Sequence, residues 1–87
     1  MSKVVKEHPY RVLSHIVECN NELYYVDSTD TFDAGYETMV FDYDGVIDGD
    51  VNEEDICWSG VYTEHYYSYE DMEKRHNYLI EHLEEVL

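Results

Sequence analysis

The chain has 87 residues, of which 21 are Asp or Glu and only five are Lys or Arg, for a formal charge of −16 at pH 7. Hydrophobic content of 44% with 15% aromatics is too high for a chain that stays unfolded, so residues 1–87 are expected to form one small domain. The charge excludes a protein that grips nucleic acid through its phosphates, and it disfavours anionic membrane surfaces for the same reason.

The cations stand near the ends, at Lys3, Lys6, Arg11, Lys74 and Arg75. The 62 residues from Val12 to Glu73 hold 17 acids and no Lys or Arg, whereas an ordinary domain intersperses both signs. Cys19 and Cys57 form no CxxC pair and read as small hydrophobes of a reducing compartment. No secretory leader and no membrane-length apolar run is read in the sequence, so a cytoplasmic setting is expected.

In chain order, residues 10–19 and 22–27 read as two β-runs joined at Asn20-Asn21, because asparagine tolerates the positive φ of a tight hairpin turn. "STDTFDAG" follows, rich in turn formers and ending in Gly35, and reads as a connection. "YETMVFDY" (36–43) supplies a third strand of β-branched and aromatic residues. Residues 41–55, "FDYDGVIDGDVNEED", hold seven carboxylates and no cation. "ICWSGVYTEHYY" (56–67) predicts a fourth strand. Trp58, Gly60, Tyr62, Glu64 and Tyr66 share one face, with Cys57, Ser59, Val61, Thr63 and His65 on the other.

A helix closes the chain. Ser68 suits its N-cap and Asp71 takes the place of the capping-box acid. Met72, His76, Leu79, Leu83 and Val86 recur at spacings of four and three as an apolar stripe. Glu70–Lys74 and Asp71–Arg75 add acid-before-base pairs four apart. The expected fold class is α+β: a small antiparallel β-sheet of about four strands with a C-terminal amphipathic helix packed on one face.

The acidic stretch does not fit a calcium loop. Started at Asp44, an EF-hand register puts Val46 at its third position; started at Asp42, Ile47 stands where glycine is needed; started at Asp48, Glu53 does. His15 and Cys19 lie four apart on a strand, about 13 Å by strand rise, and two close ligand pairs for a zinc ion are missing. Ser14-His15 and Cys57 offer nucleophile types without a glycine-rich elbow or helix start behind them. There is no GxGxxG, and nothing singles out one carboxylate pair for glycoside chemistry. No catalytic residue, cofactor or metal is therefore expected.

What remains is the surface. Ten tyrosines stand among the acids, and "YTEHYYSYED" holds more than one core can bury. Exposed tyrosine is a favoured interface anchor. Carboxylates along a strand and loop imitate phosphates, so a protein built for nucleic acid would meet them with the same Arg and Lys. The expected contact set is Asp42, Asp44, Asp48, Asp50, Glu53, Glu54 and Asp55, supported by Glu64, Tyr66 and Tyr67.

The segment "YETMVF", with the Trp and Tyr of "CWSGVYTEHYYSYEDMEKRHNYLIEHL", resembles small phage and prophage proteins of unassigned role. Those carry an ETMVF-type strand, a variable acidic loop, a Tyr-rich strand and a histidine-bearing helix. In its small size and acidity the chain also resembles phage proteins that inhibit host defence: anti-CRISPR proteins, anti-restriction proteins and uracil-DNA glycosylase inhibitors. That resemblance implies a DNA mimic, foremost an anti-CRISPR protein, in the cytoplasm of an infected bacterium. Its partner would be a basic nucleic-acid-binding protein, such as a CRISPR effector nuclease, with no direct contact to nucleic acid or membrane. The alternatives are a non-enzymatic phage accessory module whose acidity serves solubility, and an inhibitor of a restriction enzyme or DNA glycosylase.

Overall fold

Asn20 and Asn21 take φ of 54° and 66° in the computed structural model, left-handed values that asparagine accepts more readily than most residues. They turn β2 (Ser14–Cys19) back onto β3 (Glu22–Thr31) with Cys19 opposite Glu22 and Ser14 opposite Asp27. The structure describes residues 2–8, 13–31, 33, 35–46 and 50–87. Residues 10–12 of the first expected β-run, and Asp48, lie outside them.

Two expectations need correction. The sheet has five strands, because β1 (Lys3–Glu7) pairs antiparallel with β2 and adds an edge. "STDT" is not a connection: it extends β3 to Thr31, which sits opposite Gly35 at the start of β4 (Gly35–Asp42). Serine, threonine and aspartate favour turns locally, but here each finds a cross-strand partner on β4, and pairing wins over propensity. β5 (Tyr62–Tyr66) follows, so the sheet is an antiparallel meander in the order β1-β2-β3-β4-β5.

The fourth expected strand is shorter than its sequence suggests. Gly60, at φ 73°, turns the chain before β5, and Ile56 contributes only an isolated bridge to Tyr43. Within β5 the alternation holds, with Tyr62, Glu64 and Tyr66 half-buried and Thr63 and His65 exposed.

α1 (Tyr69–Leu79) starts where Ser68 predicts, its hydroxyl accepting from the Asp71 amide at 3.2 Å. It ends at Leu79, although the apolar stripe runs on: Leu83 is fully buried in a 3₁₀ turn (Leu83–Glu85) and Val86 packs beside it. The hydroxyl of Ser2 explains the stop. It donates to the Ile80 carbonyl at 3.1 Å and accepts from the Leu83 amide at 2.9 Å, satisfying backbone groups left over at the helix end.

Apolar side chains fill both faces of the sheet. On the face that carries α1 lie Val17, Cys19, Tyr24, Val26 and Val40, packed against Ile80 and Leu83 just beyond the end of the helix. On the opposite face Ile16, Tyr25, Phe41, Tyr43 and Ile56 form a second cluster, with Val51 against it. Trp58 sets its ring edge-on against Phe41 and Tyr25 at 5.1 and 6.3 Å. Among the described residues it is Tyr43, Val51 and Ile56 of the acidic segment's flanks, and no helix, that pack on the second cluster from beyond the sheet.

Candidate functional site

The acidic segment is anchored at both ends of its base. The Asp44 amide donates to the Asp55 carbonyl at 2.9 Å, and the Cys57 amide to the Asp42 carbonyl at 2.9 Å, on either side of the Tyr43–Ile56 bridge. Tyr43 and Ile56 are buried in the second core, so these bonds hang the carboxylates from the sheet. The Tyr43 hydroxyl accepts from the Asn52 amide at 3.1 Å, reaching across the loop from beneath. Asn52 in turn caps a 3₁₀ turn, Glu53–Asp55, by accepting from the Glu54 amide at 3.0 Å. Gly45 is required by this arrangement: a Cβ there would lie 2.4 Å from the Tyr43 ring.

Asp42, Asp44, Asp50, Glu53 and Glu54 are exposed and Asp55 is half-buried. The buried His8 brings Nε2 to 3.6 Å from Glu53 Oε1, tying the end of β1 to the 3₁₀ turn. Beside the base of the loop, Glu22, Asp42, Asp44 and Cys57 line a surface cleft of about 500 Å³. The cation closest to this region in sequence lies beyond residue 73: Lys74 pairs with Glu70 at 3.1 Å and Arg75 with Glu64 at 2.7 Å, while Lys3 and Lys6 stand on β1, the strand whose end His8 ties to Glu53.

The three supporting residues sit elsewhere. Tyr62 is opposite Val40 and Tyr66 opposite Tyr36, so β5 runs away from the acidic loop, and Tyr66 and Tyr67 stand at the far end of the sheet, about 13 Å beyond Tyr62. Tyr67 is fully exposed. Glu64 points under α1, where its carboxylate accepts from Arg75 Nε at 2.7 Å, from the Tyr66 hydroxyl at 2.5 Å and from the Tyr62 hydroxyl. Burial alone would raise its pKa, but the hydrogen bonds from Arg75, Tyr62 and Tyr66 together hold it below the usual value. Arg75 is correspondingly held more basic by the Glu64 hydrogen bond. Glu64 and Tyr66 therefore belong to the helix–sheet interface, and their charge and hydroxyl are committed there.

That interface carries a row of polar groups not anticipated from sequence. His15 Nδ1 lies 2.8 Å from His76 Nε2, His76 Nδ1 lies 2.6 Å from Ser28 Oγ, and Ser28 Oγ lies 2.5 Å from Thr38 Oγ1. Tyr66 stands 2.9 Å from Thr38 and ends the row at Glu64. A phenol has one proton, and Tyr66 donates it in a hydrogen bond to the ionised carboxylate. The consistent polarity then runs His15 to His76 to Ser28 to Thr38 to Tyr66 to Glu64, each hydroxyl donating once and accepting once. Ser28, Thr38 and His76 are buried, and burial, with His15 beside it, lowers the His76 pKa to about 4. An imidazole so weakly basic is a poor general base at neutral pH, so the Ser28–His76 contact is suited to holding α1 on the sheet.

One signal would have found the row. His15, Ser28, Thr38, Glu64 and Tyr66 alternate with the same periodicity as Val17, Val26, Val40 and Tyr62, polar side chains at core-facing positions.

Among the described residues no group of three or more His, Cys, Asp or Glu is set to hold a metal ion, and no helix is long and apolar enough to cross a membrane. No protein-family model, no curated protein and no solved structure matches the chain.

Proposed function

We propose that the protein is a phage-derived, non-enzymatic inhibitor of a host nucleic-acid-binding defence protein, an acidic DNA mimic of the anti-CRISPR kind that blocks target DNA binding by the CRISPR effector. One observation carries the reading: the exposed Asp42, Asp44, Glu53 and Glu54 stand on backbone fixed to the sheet by Tyr43, Ile56 and paired backbone bonds. A solubility device needs charge but no fixed geometry. A mimic gains from it, because carboxylates carried on a fixed backbone lose less conformational entropy when arginines and lysines close on them. An RNA-guided effector holds nucleic acid in a positively charged channel and reads its PAM with arginines, which a negative loop of this kind could occupy.

The test is competition against labelled duplex DNA bound to RNA-guided effector nucleases, with a restriction enzyme and uracil-DNA glycosylase run alongside. Micromolar protein should displace DNA from at least one effector at moderate salt. Asp50→Lys combined with Glu54→Lys should weaken that displacement roughly tenfold or more, since rim charges close to a cationic partner govern encounter and affinity. Displacement from only the restriction enzyme or the glycosylase would move the target to that class. Failure to displace DNA from any of them would leave the acidity to solubility and overturn the mimic.

A further inference from the structure

The two edges of the sheet are built differently. β1 has lysines at positions 3 and 6 and a register shift between Val4 and Lys6. Edge lysines and bulges are the standard obstacles to pairing with another chain. β5 has neither. Its sequence is YTEHY, without lysine or proline, and it keeps an unbroken register with β4 from Tyr36↔Tyr66 to Val40↔Tyr62. Among the described residues nothing pairs with it on its other side, because it ends the sheet. α1 lies over one face of the sheet through the Arg75–Glu64 contact and does not continue the ladder. In an antiparallel strand alternate residues turn their N–H and C=O outward, so β5 presents a short ladder of backbone groups.

The side chains along this edge add a preference. Thr63 and His65 are exposed, and Tyr67 projects fully into solvent just past the strand. Gly35, His65, Tyr66 and Tyr67 line a hollow of about 360 Å³ at this end of the β4–β5 pair. Glu37 on β4 is mostly buried and already taken up by His65 Nε2 at 2.9 Å, whereas Glu70 and Asp71 are exposed at the start of α1. Glu70 meets Lys74 at 3.1 Å with both side chains largely in solvent, a weakly held pair that leaves the carboxylate open to a second cation.

We infer that the β5 edge is a docking strand for an extended, lysine- or arginine-bearing segment of a partner protein, which adds as a sixth strand. Backbone pairing supplies the register, the exposed acids at the start of α1 receive the cations, and the exposed Tyr67 ring offers a face to one of them. The occupant is not a second copy of the chain. Two β5 edges would bring together bodies that each carry −16, with no lysine on either strand to offset it. The inference rests on the reading that the partner is cationic, and it names how that partner is held.

The probe is a short alternating lysine–valine peptide. A control peptide of identical sequence and charge is N-methylated at alternate residues, which removes one edge of its backbone donors. Binding is read by fluorescence anisotropy at moderate salt, and the site by amide hydrogen exchange of the protein. The unmodified peptide should bind, slow exchange across residues 62–67, and bind roughly tenfold or more tightly than the methylated one. Equal affinity for both peptides would mean charge attraction alone and overturn the inference, as would no binding of the unmodified peptide. Protection confined to β1 would overturn it too. So would peptide-free protection of residues 62–67 that rises with protein concentration and tracks a dimer in sedimentation, which would assign the edge to a second copy. The protein itself is unaltered throughout, so a folding defect cannot intervene. No DNA or effector is present, so failure here with DNA displacement intact would remove the docking strand and leave the mimic.

Discussion

His76 offers the sharpest test of the buried polar row. Its imidazole is fully buried, and its pKa falls from an ordinary 6.5 to about 4 because burial and the neighbouring His15 both penalise the charged form. His15 is lowered as well, by burial, with Glu7 acting against it. A base whose pKa is depressed on folding contributes stability that is complete above its unfolded pKa and is lost as pH falls towards the folded value. The window therefore runs from about pH 6.5 down to about pH 4. Lowering the pH to 4.5 crosses about two units of that window, which at about 1.4 kcal/mol per unit removes about 2 to 3 kcal/mol. Acid also discharges surface carboxylates and relieves the repulsion of a −16 chain, so wild-type stability alone would mix two opposing trends. His76→Gln separates them, because glutamine keeps a polar group near Ser28 and cannot titrate. Urea unfolding followed by far-ultraviolet circular dichroism, at pH 7.5 and at 4.5, gives the comparison. The variant should be the less stable protein at pH 7.5, and the gap should close by about 2 to 3 kcal/mol at pH 4.5. If the gap is the same at both pH values, His76 is not held neutral by burial and the polarity assigned to the row is wrong.

Gly45→Ala should force the Tyr43 ring out of the second core, since the added carbon would meet it at 2.4 Å, and about 1 to 3 kcal/mol of stability should go with it in denaturant unfolding. An unchanged midpoint would mean that Tyr43 does not anchor the acidic segment. The two thiols should react with a disulfide reagent at different rates: Cys57 is exposed and should label at once in the native protein, while Cys19 is fully buried, its thiol pushed up by burial, and should label only on unfolding. Two fast thiols in native protein would contradict the packing of Cys19 against Ile80 and Leu83.

Where structure depends on neighbours in sequence, the chain is readable. Two asparagines between β-runs specify a turn, Ser68 specifies where α1 begins, and the four-and-three spacing of Met72, His76 and Leu79 specifies its buried face. Features decided by distant partners are not readable in this way. Val4 and Val5 flanked by lysines give little strand signal, and β1 exists because β2 offers it a ladder. The helix stripe continues to Leu83, yet α1 stops at Leu79 because Ser2, 81 residues away from Leu83, supplies the bonds that end it. The acidic segment announced its charge by composition, while its fixed base depends on Tyr43, Val51 and Ile56 meeting a sheet face that the sequence left uncovered. Glu64 and Tyr66 looked like surface groups by residue type, and only the pairing of β5 with β4 turns them inward.

The clip between Ser2 and the end of α1 also sets an order of events during synthesis. Translation delivers β1 through β4 first, and their hairpins can pair as they emerge. Val17, Val26 and Val40 nevertheless stay without cover on one side until Ile80 and Leu83 have been made, because those late residues complete that core. Until then the sheet has a long-range closure still to come, the kind of contact that slows folding and leaves apolar surface exposed meanwhile. The dense negative charge in residues 12–73, already present on that unfinished sheet, would keep neighbouring nascent chains apart until residue 83 arrives.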